Sequence, residues 1–306
     1  VMAVINRAAL AEHLWPGIIH FFGMEYKDYT PQWSMVFDTR SSSKAYEEYV
    51  MESAFGLAPA KEAGAPAMYD DAADAWKGRV EMVAYALGFV ITREAVNDDQ
   101  YFDLVPRYTR ALKRSMMITK EVRAAAFLDG AFSDSRTGDG EPIISAAHPL
   151  KNGESFSNIA GANADLNETS LEAAVIQIAD FTDERGLRIN VQPRKLVVPN
   201  GLQFTAERLM KTTGGRVGTG DNDVAAMHTM GVIPEGYCLN NYLTDPDAWY
   251  LKNDVPEGMT YWDREGLDIE QGDGMDNQVM KVLAYERYAF SCMDPRSMYG
   301  SPGQPL

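Results

Sequence analysis

The chain has 306 residues, 45% of them apolar, and a formal net charge of −16, enough for one large or two ordinary domains with a real core. That acidity argues against nucleic-acid binding as the main task, because such affinity comes from neutralised phosphates; it suits a protein that lies beside packed DNA without sticking to it, and equally the many ordinary soluble proteins that are as acidic. Cys238 and Cys292 build no disulfide framework and point to a reducing compartment, no apolar run reaches the length of a membrane span, and the N-terminus carries no signal-peptide pattern.

Residues 1 to about 35 mix a short helical run, Asn6 to Leu14, with Pro16, Gly17, Gly23 and Pro31. Phe21, Phe22, Tyr26, Tyr29 and Trp33 are scattered through it, so this arm cannot bury itself and is expected to lie against something else. His13 and His20 have Pro16 between them, which argues against a metal pair. From Ser41 to Glu94 the pattern turns to strand. Ala45–Phe55 is rich in Tyr and Val; Trp76–Thr92 alternates Lys77, Arg79 and Glu81 with Val80, Met82 and Ala84. Between them lies a Pro/Gly-punctuated tip whose Asp70, Asp71 and Asp74 read as a solvated acidic turn rather than a cation site. A two-stranded excursion of this kind is marginal in water and is expected to lean on a neighbouring chain.

The organising stretch is Asn97–Phe132. Asn97, Asp98 and Asp99 supply a helix N-terminus. Tyr108, Ala111, Leu112, Ser115, Met116, Thr119, Val122 and Ala126 recur at helical steps as an apolar face. Arg107, Arg110, Lys113, Arg114, Lys120 and Arg123 form a wet face, Pro106 kinks or restarts the first turns, and Asp129-Gly130 stops the helix by a left-handed glycine. About 30 residues at 1.5 Å each give a rod of roughly 45 Å, a spine.

After it, Asp139-Gly140 and Asn152-Gly153 predict two turns. Gly153-Glu154-Ser155-Phe156-Ser157 imitates a nucleophile elbow but lacks its final Gly, and His148, before Pro149, reads as structural with no acid partner in view. Thr169-Ser170-Leu171-Glu172 is read as a capping box opening a helix with Leu171, Ala174, Val175, Ile178 and Phe181 on one face, ending at Gly186. Arg194–Pro199 reads as a buried strand, and Asn200 as the cap of a helix holding Phe204, Leu209 and Met210. Gly214, Gly215, Gly218 and Gly220 invite a phosphate-loop reading. They lack the preceding strand and the Lys-Ser/Thr, and the acids Asp221 and Asp223 follow. The run Asp268–Asn277 fails the calcium-loop test because Val279 stands where a bidentate Glu is needed. From Gly236 the chain is mostly strand, with Val279, Lys281, Leu283, Tyr285, Arg287 and Ala289 alternating along one long member.

Six segments together resemble the tailed-bacteriophage major capsid family, the α+β Hong Kong 97-type fold, and within it Mu-like head subunits. They are KAYEEYVMESAFGLAP (44–59), YALGFVITREAVNDDQYFDL (85–104), ISAAHPL (144–150), VQPRKLVVPNGLQFTAERLM (191–210), LTDPDAWYL (243–251) and YERYAFSCMDPRSMYGS (285–301). The resemblance implies an N-terminal arm (1–38), an extended E-loop (39–93), a P-domain with its spine helix (94–167), an A-domain (168–245) and C-terminal strands returning to the P-domain (246–306). It implies a protein that is not an enzyme, with no cofactor, metal or catalytic residue, assembling with itself into hexamers and pentamers of an icosahedral head around double-stranded DNA. Portal, scaffold and cement proteins are the further partners, the virion its location, and the host cytoplasm its site of assembly. Some members cross-link an E-loop Lys to an Asn of a neighbour; Lys44, Lys61 and Lys77 lie in the E-loop here, but Gln278, with Asn277 adjacent, stands near the acceptor position, so no cross-link is expected. An encapsulin-type compartment of the same fold is the alternative, and a hydrolase built on His148 with Ser155 or Ser157 the remote one.

Overall fold

The computed structural model describes residues 31–64, 66–92, 94, 104–161, 163–212, 226–274 and 279–304. Of the sequence features above, the arm up to residue 30 with His13 and His20, the stretch Asn97–Asp99, the glycine-rich loop 213–225 and the pair Asn277 and Gln278 lie outside the described residues.

Twelve strands and four helices are described: β1 (Asp38–Ser41), β2 (Tyr46–Glu52), β3 (Asp74–Glu81), β4 (Val83–Thr92), α1 (Leu104–Asp129), β5 (His148–Pro149), β6 (Ser155–Phe156), α2 (Glu168–Ala179), β7 (Pro193–Val198), α3 (Gln203–Lys211), α4 (Ala226–Met230), β8 (Tyr237–Leu239), β9 (Trp249–Asn253), β10 (Met259–Gly274), β11 (Val279–Cys292) and β12 (Met298–Ser301). They form a long sheet ordered β1-β10-β11-β4, a short sheet ordered β12-β9-β7-β8, the ribbon β2–β3 and the small pair β5–β6.

The helix α1 lies on the long sheet. Its 26 residues span about 39 Å at 1.5 Å per residue. Its buried row runs in steps of four through Leu112, Met116, Ala124 and Leu128, with the half-buried Lys120 between, so the expected face is right at Leu112 and Met116 and wrong at Ala111, Val122 and Ala126, which are exposed. A four-residue step advances the row by slightly more than a full turn, so the buried line drifts around the helix as it crosses the sheet. Pro106 falls in the first turn, where a missing N–H costs nothing. Gly130 does not take the left-handed conformation; it opens a 3-10 turn, Gly130–Phe132, and its reason is close approach, since a Cβ there would sit 2.8 Å from Ser135 Oγ. That hydroxyl donates to the Phe127 carbonyl at 2.8 Å, satisfying one of the helix's open ends.

The segment Trp76–Thr92, which alternates as one strand in sequence, is two. β3 pairs with β2 and β4 pairs with β11; the change comes at Met82, buried between them, and Ala84 is exposed instead of sharing its face. β4 is the terminal strand of the long sheet, ten residues without a charge, a proline or a register shift. The strands after residue 246 divide: β10 and β11 enter the long sheet, whereas β9 and β12 pair in the short one beside β7. Both faces of the short sheet are apolar. Leu196, Val198, Trp249 and Leu251 face a core closed by Leu171, Ala174, Ile178, Ala206 and Leu209, while Val197 and Tyr250 face a second core with Phe37, Leu128, Ile143, Tyr261 and Tyr288. Two-sided burial explains the continuous apolar run, which a half-exposed strand would not show.

Local ends differ from expectation where two residues compete for one role. Asn167, not Thr169, caps α2: its side chain accepts the Ser170 N–H at 2.8 Å and the Ser170 hydroxyl accepts the Asn167 N–H at 3.0 Å. Asn is as good a cap as Thr and stands first in the chain. The helix stops at Ala179, and Gly186 (φ 83°) instead turns the short loop that bridges Thr182 to Arg188. Asn200 opens a 3-10 turn and does not cap α3. The predicted turns at Gly140 (φ 91°) and Gly153 (φ 87°) are present.

Two buried polar joints hold these parts together. Arg296, 2% exposed, donates from Nε to the Thr182 carbonyl at 2.7 Å, from Nη2 to Glu184 at 2.8 Å and from Nη1 to Asp294 at 3.3 Å, with its guanidinium 4.7 Å from the Phe156 ring centroid. Asn158 donates from Nδ2 to the carbonyls of Ile143 (2.7 Å), Pro295 (2.9 Å) and Met298 (3.0 Å), which fixes its amide so that Oδ1 accepts the Ser145 N–H at 2.8 Å. The same Oδ1 faces His148 Nε2 at 3.1 Å, and His148 Nδ1 faces the Asp139 carboxylate at 2.6 Å. Asp139 is therefore the acid partner of His148 that the sequence did not reveal. Burial works against its ionised form, but the bonds from His148, the Thr137 hydroxyl and the Glu141 N–H outweigh that and leave the carboxyl below its ordinary range.

Arg296→Leu strands two buried carboxylates and is expected to cost about 3–5 kcal/mol in urea unfolding, with Arg296→Lys recovering only part because an ammonium lacks the planar fork. A carboxyl whose value is lowered by folding binds its proton more weakly folded than unfolded. Its stabilisation is therefore present above about pH 4 and lost as pH falls through the folded value. Urea midpoints measured down through that range should fall more steeply for the unaltered chain than for Asp139→Asn.

Candidate functional site

No enzyme-like constellation forms among the described residues. His148 is fully buried and both ring nitrogens are taken by Asp139 and Asn158, leaving none to activate a serine. Ser155 is exposed on β6, and Ser157 accepts from Gln177 Nε2 at 3.4 Å. No group of three or more His, Cys, Asp or Glu is placed to hold a metal among the described residues. Residues 268–274, the described part of the suspected calcium loop, run as strand within β10. The thiols of Cys238 and Cys292 are buried, which pushes them up to about 11 and about 12. A cleft of about 1160 Å³ lies beside α3, α4 and β8, with Met35, Met210, Met227, Ile233, Tyr237 and Arg114 among its lining; Lys211 and Glu235, also in its wall, are paired with Glu207 and Lys195.

What the structure does assemble is a set of attachment points for two extended segments. The first is the strap of residues 31–37. The Glu121 carboxylate, buried on α1, accepts the backbone N–H of Gln32 at 2.8 Å and of Trp33 at 3.0 Å, which serves the open N-terminus of the 3-10 turn Trp33–Met35. Burial raises this carboxyl, against the pull of the two N–H bonds and of Lys120. Lys195 donates to the Met35 carbonyl at 3.1 Å, and Gln32 Oε1 accepts the Asn241 N–H at 2.8 Å. Lys120, expected on the wet face, turns inward to the Glu286 carboxylate, its ammonium 5.7 Å from the Trp33 ring centroid and 5.2 Å from those of Tyr261 and Tyr288. Burial raises the Glu286 carboxyl, with the Lys120 bond acting in the opposite direction. No local signal in the sequence marked either residue: periodicity set Lys120 on the wet face, and its partner Glu286 is supplied by β11.

The second segment is the ribbon β2–β3. Its base does not wait for a neighbour: Val80 and Met82 pack on Trp262, Ala289 and Met293 of the same chain, and Trp76 lies against Gly138. The Tyr49 hydroxyl donates to the Cys292 carbonyl at 3.2 Å. Beyond Glu52 the chain is irregular and apolar side chains point outward: Phe55 is 61% exposed, Leu57 81%, Met68 78% and Tyr69 91%. Asp70 is more than a solvated turn residue, since its carboxylate accepts the Gly56 N–H at 2.8 Å and pairs with Arg185 at 3.1 Å. Lys44 pairs with Glu47 at 3.0 Å and Lys77 with Asp74 at 3.4 Å, while Lys61 lies exposed in the tip.

Comparison with known proteins assigns this arrangement. Residues 78–301 match the family model described as phage capsid protein. No curated protein matches the chain. Similar solved structures include the capsid of a native GTA particle, 13% identical with a TM-score of 0.59, covering 98% of this chain and 99% of that chain. The capsid of Myoviridae phage XM1 is 10% identical with a TM-score of 0.56, covering 96% of this chain and 98% of that chain. The capsid of bacteriophage JBD30 decorated with minor capsid protein trimers is 12% identical with a TM-score of 0.57, covering 79% of this chain and 100% of that chain. At such identities the likeness is one of fold, the α+β fold of Hong Kong 97-type capsids; the narrower likeness to Mu-like head subunits rests on the sequence segments alone. With its family model covering most of its length, the chain belongs to the phage capsid protein family and is a structural, shell-forming protein of a phage head.

Proposed function

We propose that this chain is the major head subunit, making hexamers and pentamers through extended segments that a lone subunit cannot satisfy. The observation that carries the reading is the ribbon's tip: four large apolar side chains stand 61–91% exposed on a limb whose buried apolar anchorage is confined to its base. A lone soluble protein gains nothing from such a patch, whereas a lattice buries it. On this reading the ribbon is the E-loop, α1 and the long sheet are the P-domain, the α2–β8 unit is the A-domain, and the strap at residues 31–37 is the root of the N-terminal arm. β9 and β12 then belong with the A-domain sheet, while β10 and β11 build the P-domain.

The net charge of −16 supports an inner wall that is neutral or acidic, along which double-stranded DNA slides during packaging. Portal, scaffold and cement proteins complete the partners, and assembly takes place in the host cytoplasm. An encapsulin-type compartment is not favoured, because the family matched is that of phage capsids.

Electron microscopy of the purified chain after size-exclusion chromatography is expected to show capsomer rings or hollow shells of uniform diameter. A monomer under every condition tried, with and without scaffold, overturns the assembly reading. Boiled particles should run as single chains on a denaturing gel, since Gln278 and Asn277 do not reproduce the cross-linking pattern; a ladder of covalent multimers contradicts this.

A further inference from the structure

The His148 and Asp139 side chains are shut off from solvent, 0% and 2% exposed. The number of protons on the imidazole is therefore set by the protein groups around it. Two fixed acceptors decide it. Asn158 gives Nδ2 to the carbonyls of Ile143, Pro295 and Met298, and its Oδ1 takes the Ser145 N–H. Turning the amide over would set an oxygen against three carbonyls, so it is Oδ1 that faces Nε2 at 3.1 Å, and Nε2 carries a hydrogen. On the other side Nδ1 stands 2.6 Å from Asp139 Oδ2, too close for two lone pairs, so a second proton lies between them. The carboxylate also accepts the Thr137 hydroxyl and, at 3.1 Å, the Glu141 N–H through Oδ1, and both bonds favour its ionised form. The second proton accordingly belongs to the ring.

We propose that His148 is kept as a buried imidazolium whose second proton locks the Asp139 turn to the joint at Asn158, making that joint a pH-sensitive device. The inference stands apart from the shell-forming reading. When hydroxide in solution takes the proton as water, one N–H is left for two acceptors. With the hydrogen on Nε2, a bare Nδ1 meets the carboxylate; with it on Nδ1, a bare Nε2 meets the Asn158 oxygen. Either tautomer breaks one side and strips a buried carboxylate of its counter-charge. The other charged and titratable groups around the pair do not replace it. Arg296 lies 4.7 Å from the centroid of Phe156, the ring that stacks on His148 at 4.8 Å, but its guanidinium is paired with Glu184 and Asp294. The Tyr49 hydroxyl and the Cys292 thiol feel Asp139, and burial pushes both up, the thiol to about 12. The device also reaches outward: Gly138, beside Asp139, is pressed against Trp76 at the base of the ribbon, where a Cβ would come within 2.4 Å of the indole.

The test is urea unfolding of the free chain and of Asp139→Asn from about pH 6 to about pH 9. An unfolded histidine gives up its proton near pH 6.5, so above that the folded chain holds one proton more than the unfolded chain. The stabilisation is then present in full below about pH 6.5 and is lost as pH rises, the folding constant falling by up to about tenfold per pH unit. Asp139→Asn removes the demand for the second proton, because its Oδ1 can accept from Thr137 and Glu141 while its Nδ2 donates to a bare Nδ1. The unaltered chain is expected to lose stability more steeply than this variant across the range; parallel curves overturn the proposal. If Asp139→Asn does not fold, nitrogen-15 spectra of the unaltered chain labelled at its four histidines decide. At about pH 8, above the ordinary histidine value, the ring slowest to exchange its hydrogens with water should carry both of them. A bare nitrogen on that ring overturns the proposal.

Discussion

A guanidinium taken out of water must spend its N–H groups on partners that cannot be moved, and the joint between the two sheets is arranged around that requirement at Arg296. Its three bonded nitrogens fix the turn carrying Thr182 and Glu184 and the turn carrying Asp294, and its plane rests on Phe156. The carbonyls on either side of it, of Pro295 and Met298, are held by Asn158, and its own carbonyl by Asn253 Nδ2 at 2.8 Å. The short turn between β11 and β12 thereby locks an inner strand of the long sheet to the edge of the short one. Asn158 carries the constraint further, through His148 to the Asp139 turn. Displacing any member leaves a buried donor or acceptor bare, which is why the network behaves as one unit.

With the joint fixed, the rest of the chain divides into what it can bury and what it cannot. The short sheet buries both faces, and α1 covers one side of the long sheet while taking in even a lysine, because Glu286 and three aromatic rings replace the water it loses. The ribbon has no such cover beyond its base. A subunit built this way is stable as a body and incomplete as a surface, which is what a lattice member needs.

Sequence periodicity captured the elements whose structure is decided within a few residues. The spine helix, the buried strand from 193 to 198 and the turns at Gly140 and Gly153 were all legible, because helical steps, an apolar run and Asp-Gly or Asn-Gly pairs are local signals. Lys120 was not, since its reasons, Glu286, Tyr261 and Tyr288, lie more than a hundred residues away in sequence. Asp139 and His148 are only nine residues apart, yet their meeting depends on the intervening turn and on Asn158 fixing the ring. The break at Met82 was invisible because alternation continues across it; what changes is the partner strand, and pairing leaves no periodic mark. The pairing of Arg185 with Asp70, 115 residues apart, is of the same kind. The hydrolase reading failed for a reason the sequence already held, the missing elbow glycine, and burial of His148 removed what remained of it.

The terminal strand of the long sheet carries a consequence for the life of the free subunit. Among the described residues β4 has no strand on its outer side, its ten residues are uncharged with no proline, lysine or bulge, and Val83 and Leu87 stand 48% and 46% exposed along it. Such an edge is a template for any extended backbone, including that of another subunit in the wrong register. Productive assembly and misassembly therefore both accelerate as subunit concentration rises. The chain is safe only while its copies find their places faster than they find each other's edges, so the supply of subunits is as much a part of building the shell as the contacts that hold it.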